Sequence, residues 1–361
     1  MSGVWGEALK ISIFGESHGE AIGIVIDGLP AGFEPDMQAV HSEMARRAPG
    51  TDELSTPRKE ADEPQIVSGL LDGKTTGTPL CCLIRNTNTK SGDYEQLRRT
   101  VRPGHSDYGY FVKTQGNNDV RGGGHSSGRL TAPLVFCGAL CKQLLAARGI
   151  EIGAHLYSLD GVKDRAFGTV ESARRLAELR GMRMPLLDPN VEAQMRERVA
   201  LARRDGDSVG GVVECMVVGV PAGVGEPFFQ SVESQLSALL FSVPAVKGVE
   251  FGDGFALAQM RGSQANDPWI VEDGEIRTLT NRNGGVLGGI ATSMPIVFRV
   301  AIKPTPSIFV PQRSVDPIDR RETTLQLHGR HDPCIAVRAV PVIEAAAAIA
   351  IYDLIARGER G

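Results

Sequence analysis

The sequence predicts an α+β fold built from two similar halves. Short apolar runs of strand character alternate with amphipathic helical stretches along the chain. Turn motifs recur in the same order in each half. The 361 residues, 42% of them hydrophobic, suffice for one large core or two smaller ones.

Taken in order, Leu9 to Phe14 and Ala21 to Ile26 read as strands. Asp36 stands where it can cap a helix from Met37 to Arg47, which Pro49-Gly50 ends. Ser126 or Ser127 opens a helix expected to reach Arg148 and stop at Gly149. A charged helix is expected from Pro189 to Arg204 and another from Val232 to Phe241. Ile296 to Ile302 reads as a strand. An alanine-rich helix from Ile343 to Arg357 closes the chain, with Gly358 as its C′ residue. Segments 50–64 and 304–330 are polar, contain proline and lack periodicity, so they read as functional or mobile loops.

The halves echo one another. Ile26-Asp27-Gly28-Leu29-Pro30-Ala31-Gly32 resembles Val217-Val218-Gly219-Val220-Pro221-Ala222-Gly223. Gly73-Lys74-Thr75-Thr76-Gly77-Thr78-Pro79-Leu80 resembles Gly289-Ile290-Ala291-Thr292-Ser293-Met294-Pro295-Ile296. Either a unit was duplicated or turn-forming residues match by chance. Duplication favours residues 1–361 forming a single domain.

Net charge is -4, which gives no general drive toward nucleic acid or an anionic membrane. No basic segment followed by an apolar stretch opens the chain, so no signal peptide is expected. No apolar run reaches the ~18 residues of a membrane span; the nearest, Ala345 to Leu354, carries Asp353. The six cysteines form no CxxC pair and read as buried free thiols suited to a reducing cytoplasm. No metal-ligand spacing and no GxSxG elbow occurs, which weakens metallohydrolase and serine hydrolase readings.

Arginine-bearing, glycine-rich motifs carry the chemistry. Phe14-Gly15-Glu16-Ser17-His18-Gly19 and Arg102-Pro103-Gly104-His105-Ser106-Asp107 each set a histidine beside glycine, where a ligand can approach the ring. Gly329-Arg330-His331-Asp332-Pro333-Cys334 adds an arginine, a histidine and a carboxylate. Arg121-Gly122-Gly123-Gly124-His125-Ser126-Ser127-Gly128-Arg129 precedes a helix and is the best anion cradle. Its spacing is neither a Walker A loop nor a GxGxxG turn. Arg46 and Arg47 either complement a helix C-terminus or hold an anion. Lys303-Pro304-Thr305-Pro306-Ser307 follows a strand and can hold a phosphate, though proline-rich strand exits are common. Together the motifs point to one composite site for proton transfer near a bound anion.

These motifs closely resemble the chorismate synthase family along nearly the whole chain. The resemblance also covers RRAPGT at 46–51, GDSVGG at 206–211, VPAGVGEP at 220–227, PAVKGVEFGDGF at 244–255, GGVLGGI at 284–290 and KPTPS at 303–307. It implies a β-α-β sandwich with helices between two antiparallel sheets, in a cytoplasmic homotetramer. It implies 1,4-anti elimination of phosphate from 5-enolpyruvylshikimate 3-phosphate to give chorismate, the last step of the shikimate pathway. The cofactor implied is reduced FMN, with NADPH at most a reductant for it. No metal, nucleic acid or membrane partner is implied. By the same resemblance His18 protonates the departing phosphate, His105 acts at flavin N1 and O2, and Asp332 helps remove a proton at N5. Arg47, Arg102, Arg129 and Arg330 would hold the substrate's anionic groups. His125, Ser126, Ser127, Pro244, Ala245, Gly288, Lys303, Pro304, Thr305, Pro306, Ser307 and Arg330 would line the flavin. Many members carry RGGGRSSARET where this chain has His125, Gly128 and Leu130, and arginine where it has Ala48 and Glu53. The alternatives are a flavin- or phosphate-binding protein without the elimination, and a flavoprotein oxidoreductase.

Overall fold

The structure is a computed structural model that describes residues 3–49, 62–87, 97–327 and 332–359. Glu53, Arg330 and His331 lie outside the described residues.

In the first half the strands are β1 (Val4–Trp5), β2 (Lys10–Gly15), β3 (Ala21–Asp27), β4 (Pro64–Ser68) and β5 (Leu80–Arg85). They form one antiparallel sheet in the order β1-β2-β3-β5-β4. The second half supplies β6 (Glu151–Leu159), β7 (Val162–Lys163), β8 (Gly211–Val218), β9 (Val246–Phe251) and β10 (Ile296–Ile302). These make a second antiparallel sheet, ordered β9-β10-β8-β6-β7.

Helices pack on the sheets, some between them and some outside. α1 (Met37–Arg47) is capped by Asp36, whose side chain accepts from the N–H groups of Gln38 and Ala39. α2 (Asp107–Thr114) is short and half-exposed. α3 (Thr131–Ala146) lies against β3 and β5. α4 (Ala173–Gly181) covers the outer face of β6 through Leu176 and Leu179, while α5 (Glu192–Arg204) follows it. His155 on β6 is buried between Asp164 and Glu214, at 2.9 Å from each, which pins this cover to the sheet. α6 (Val232–Ser242) packs on β9. The hairpin β11 (Gln312–Asp316) and β12 (Arg321–Leu325) follows β10, and α7 (Ala336–Gly358) closes the fold.

α7 packs on β6 and β8 and along α3. The two helices approach closely because Gly138 faces Ala345; a Cβ on Gly138 would lie under 3.0 Å from the Ala345 backbone. In β10 the alternate residues Ile296, Phe298, Val300 and Ile302 are buried, the period expected of a strand facing a helical layer. Buried Asp353 of α7 accepts the N–H groups of Glu7, Ala8 and Leu9 at 3.1, 2.7 and 2.8 Å, fixing the chain's entry.

The repeated motifs fold alike. Gly28 and Gly219 end β3 and β8 with φ of 104° and 85°. A Cβ on either would lie 3.3 Å from the Cα of Leu9 or Ile150, the residues just before the neighbouring strands. Gly32 N–H donates to the Thr75 carbonyl at 2.7 Å, and Gly223 N–H to that of Ala291 at 3.0 Å. Gly77 and its counterpart Ser293 share a left-handed backbone, φ 78° and 68°.

Several expected boundaries move. The expected helix after Ser127 begins at Thr131, because Gly122, Gly123 and Gly124 have positive φ and Ser127 is extended. Two 3-10 turns, 121–126 and 128–130, occupy that stretch. Residues 189–191 form a 3-10 turn capped by Asp188 before α5 begins at Glu192. The last helix starts at Ala336, runs through Pro341 and includes Gly358, so that glycine is not a C′ residue. Segment 304–330 contains the β11–β12 hairpin and is not all loop. Two stretches, Arg121–Ala146, which runs through both 3-10 turns into α3, and the helix Ala336–Gly358, are long and apolar enough to cross a membrane, although charged residues interrupt each. Both are mostly buried inside the fold, so their apolarity serves the core.

Candidate active site

The glycine loop gathers the histidines. Gly122, Gly123 and Gly124 have φ of 58°, 86° and 54°, the left-handed region that glycine enters freely. A Cβ on Gly122 would lie 2.8 Å from Ser17 Oγ and under 3.0 Å from the His18 ring. A Cβ on Gly123 would lie 3.2 Å from His105 Nε2. Two adjacent residues therefore touch two rings whose motifs are far apart in sequence. Ser17 N–H donates to the Gly124 carbonyl at 3.1 Å, which holds the His18 turn on the loop.

Hydroxyls and an imidazole complete this wall. His125 Nδ1 lies 2.8 Å from the Gly15 carbonyl, so Nδ1 donates and fixes the ring. Ser126 Oγ donates to the Gly123 carbonyl at 2.8 Å and lies 2.6 Å from Ser106 Oγ. Ser127 Oγ accepts from Arg129 N–H at 3.3 Å. Arg121 pairs with Asp119 through Nε at 2.8 Å and Nη2 at 2.7 Å.

Arg47 and Arg129 are both buried and share one carboxylate. Arg47 Nη1 donates to Asp62 Oδ2 at 2.6 Å, and Arg129 Nη1 to Asp62 Oδ1. Arg47 also donates to Thr131 Oγ1 and the Gly128 carbonyl, each at 3.1 Å. Burial pushes the Arg47 guanidinium below its ordinary pKa, and nearby Arg338 and Arg129 add to this while Asp62 opposes it. Burial alone would raise Asp62; Arg47 and Arg129 outweigh it and hold the carboxyl below its usual range. Arg129 Nε donates to Asn86 Oδ1 at 3.0 Å, and Asn86 Nδ2 donates to the Glu16 and Gly19 carbonyls at 3.1 and 2.9 Å. The arginine pair is thereby tied to the His18 turn.

Arg102 turns inward. Its Nε and backbone N–H meet Asp107 Oδ2 at 2.7 and 3.0 Å, and its Nη2 meets Oδ1 at 2.7 Å. His105 Nδ1 lies 2.6 Å from the same Oδ1. Burial pushes the His105 imidazole below its ordinary value; Asp107 opposes this, and Arg102 and Lys303 add to it. Arg102 Nη1 reaches Ser307 Oγ at 3.4 Å and Lys303 Nζ donates to the Gly104 carbonyl, so the 303–307 segment joins this motif.

The far motifs arrive by way of the second sheet. Ala245, between α6 and β9, has φ 75°, a strained value for a residue with a Cβ, and its carbonyl accepts Lys303 N–H at 3.0 Å. Pro244 precedes it. Val209 N–H donates to the Pro333 carbonyl at 2.9 Å, beside a bridge between Val209 and Cys334. A Cβ on the adjoining Gly210 would meet Pro304 Cδ at 3.0 Å. Asp332 Oδ2 pairs with Arg338 Nη2 at 2.7 Å. Gly288, φ 61°, sits in a turn whose neighbour Gly289 packs on Glu226 and Ser231, and no hydrogen bond among the described residues joins it to the histidines.

The sequence model of the chorismate synthase family matches residues 9–356. This chain belongs to the chorismate synthase family. It is similar to the chorismate synthases of Thermococcus kodakarensis, 46% identical, and Thermococcus gammatolerans, 48% identical; each comparison covers 98% of this chain and 97% of the relative. The chorismate synthase of Methanocella arvoryzae is 48% identical over 98% of this chain and 94% of its own length. A crystal structure of chorismate synthase superposes with a TM-score of 0.76 at 26% identity, covering 98% of this chain and 93% of that one. As chorismate synthases are lyases, so is this enzyme, and its sandwich is the chorismate synthase fold. Asp62, Asn86, Asp107 and Arg338 were not singled out from the sequence. Asp107 stood in the RPGHSD motif two residues from His105, a spacing that could have marked it.

Proposed function

We propose that the protein carries out the 1,4-anti elimination of phosphate from 5-enolpyruvylshikimate 3-phosphate, giving chorismate, with reduced FMN as cofactor. The observation that carries this is the Gly122–Gly123 step lying between the His18 and His105 rings, beside a buried field of arginines. The donor set fits a flavin. The Thr305 hydroxyl is buried without a hydrogen-bond partner among the described residues, on the turn that also bears Lys303 and Ser307. Gly123 leaves open the space beside His105 that a side chain would fill. His125, Ser126, Ser127, Pro244, Ala245, Gly288 and the Lys303–Ser307 turn would hold the cofactor. When bound, reduced FMN supplies transient electron density to the substrate and assists loss of the C6 proton.

The protein's own groups do the rest. His18 gives a proton to the departing phosphate. His105, kept neutral by burial, offers an imidazole nitrogen beside Gly123. Asp332, held by Arg338, is the carboxylate base. Arg47 and Arg129, set side by side by Asp62, supply positive charge for the substrate's anionic groups, together with Arg330. Water exclusion at this buried cluster strengthens each pairing. We read residues 1–361 as one domain and the protein as a cytoplasmic homotetramer. Free cysteines suit a reducing compartment, and exposed Phe228, Phe229, Phe255, Trp269 and Val271 suit burial between subunits.

The test is an anaerobic reaction of protein, FMN, dithionite and the substrate, followed by chorismate absorbance and phosphate release. Equal chorismate and phosphate with many turnovers per flavin supports the elimination. Reductant consumed in proportion to product would instead make the protein an oxidoreductase. Bound FMN without product would leave a flavin-binding protein.

A further inference from the structure

We propose that Arg102 and Asp107 form a positioning pair for His105: Asp107 selects the imidazole tautomer that leaves Nε2 bare beside Gly123, and Arg102 holds that carboxylate in place. The inference rests on the elimination proposed above.

The three side chains lie on the turn that opens α2. His105 Nδ1 is 2.6 Å from Asp107 Oδ1 and 3.2 Å from Arg102 Nη2. A guanidinium only donates, and a carboxylate only accepts. Were Nδ1 bare, its lone pair would face a carboxylate oxygen at 2.6 Å with no proton between them. Nδ1 therefore carries the proton and donates it to Oδ1. In the neutral ring Nε2 is then an acceptor, and Nε2 is the ring atom nearest the space above Gly123.

Arg102 is bound to Asp107 through Nε and Nη2, while its Nη1 reaches Ser307 Oγ at 3.4 Å. Its fork grips both oxygens of Asp107 at 2.7 Å, and the backbone N–H of the same residue adds a third contact at 3.0 Å. Its side chain is 5% exposed. This grip leaves the carboxylate one orientation, with Oδ1 toward the imidazole. Among the described residues, the charged groups acting on His105 are Asp107 and Arg102 from its own turn and Lys303 from beyond β10.

An amide at position 107 has one acceptor. Arg102 Nε and N–H both claim the Oδ2 position, so the amide oxygen settles there. The NH2 group then faces His105 Nδ1 and donates to it. The proton moves to Nε2, and the acceptor at Gly123 is lost.

The experiment compares wild type, Asp107→Asn and Asp107→Glu in turnover against pH, in FMN affinity and in 15N NMR of the imidazoles, assigned with His105→Asn. In the wild type the spectrum should show a protonated Nδ1 and a bare Nε2. In Asp107→Asn kcat should fall by about 10²–10⁴, with KM and FMN affinity within about threefold. Its acid limb should move to lower pH, because losing the Asp107 charge lowers the His105 pKa further. Asp107→Glu keeps the charge and should keep the wild-type tautomer. A wild-type ring protonated at Nε2, an unchanged kcat, or a lower kcat with an unmoved acid limb overturns the proposal. If Asp107→Asn does not fold, the wild-type tautomer and the Asp107→Glu profile decide. If the wild type makes no chorismate, the functional reading fails, while the 15N measurement still judges the tautomer.

Discussion

Replacing Gly122 by alanine is the sharpest test of how the site is assembled. The new Cβ would meet the His18 ring well inside 3.0 Å and Ser17 Oγ at 2.8 Å. The ring must retreat by roughly 1 Å to regain ordinary contact near 3.5 Å. A misplacement of that size can lower turnover about 10²-fold, close to 3 kcal/mol of barrier. The backbone adds its own cost, because φ of 58° is left-handed, at roughly 1–2 kcal/mol for a residue with a Cβ. Gly149→Ala separates the two effects. That glycine has φ 76°, with nothing within 4 Å of its Cβ position. It should lose stability by backbone strain alone and retain turnover. The assay is steady-state chorismate formation with saturating FMN, with a thermal melt of each variant. A Gly122→Ala enzyme with kcat within about threefold of wild type would refute the reasoning, since His18 would then not depend on the loop beneath it.

Other expectations follow from the buried charges and thiols. Glu344 on α7 is fully buried, and accepts from Arg46 at 2.6 and 3.0 Å, Lys142 at 2.6 Å and Ala154 N–H at 3.0 Å. Although burial opposes it, Arg46 and Lys142 hold this carboxyl at about 2 instead of 4.5. The folded value is depressed, so the stabilisation is complete above pH 4.5 and is lost as pH falls toward 2. Glu344→Gln should therefore cost about 3–5 kcal/mol at neutral pH and flatten the acid limb of the stability curve, read by denaturant titration at several pH values; an unchanged acid limb would contradict this. Asp62→Asn should raise the substrate KM and destabilise by a similar amount; a loss under about 1 kcal/mol would mean Arg47 and Arg129 have other counterions. Burial pushes the Cys82 thiol up to about 12 and Cys334 to about 11. The native enzyme should thus show at most one fast-reacting thiol, half-buried Cys81, and six after denaturation; rapid modification of several thiols in the native state would contradict the packing.

The sequence disclosed what depends on local spacing. Asp36, three residues ahead of Ala39, announced the start of α1, and the apolar run 296–302 announced β10. The repeated turns were visible because glycine at Gly28 and Gly219 answers a backbone need that no other residue meets. Local rules misled where tertiary packing overrode them. Proline at 341 normally bounds a helix, yet α7 runs through it, with Ala336, Val337 and Val340 buried on its near side. Hairpin β11–β12 escaped notice because its residues alternate only weakly in polarity. In the site, His18 and His105 were legible as glycine-flanked motifs, whereas Asp62 was not. Its partners lie 15 and 67 residues away, and nothing in its neighbourhood marks a carboxylate bound for two arginines.

The two sheets have like strand order, yet their connections differ, and the difference places the histidine turn in the first half. β2 and β3 correspond to β6 and β8 by register, since Lys10 pairs with Asp27 as Glu151 pairs with Val218. In the first half the connection between them is the short turn 16–20, which carries His18 onto the glycine loop. In the second half it is the stretch 160–210, which holds α4 and α5. The place that a second histidine turn would occupy is thus given to a cover for the outer face of β6. That stretch still serves the site at its end, where Val209 and Gly210 hold Pro333 and Pro304. The first half thus contributes the histidines and buried arginines, and the second half contributes strand ends that fix Lys303, Thr305 and Asp332. Lengthening the 16–20 turn by two glycines should then abolish turnover while sparing the fold, because the strand pairing on either side does not depend on His18. Loss of folding in that variant would show instead that the short turn is needed to register β2 on β3.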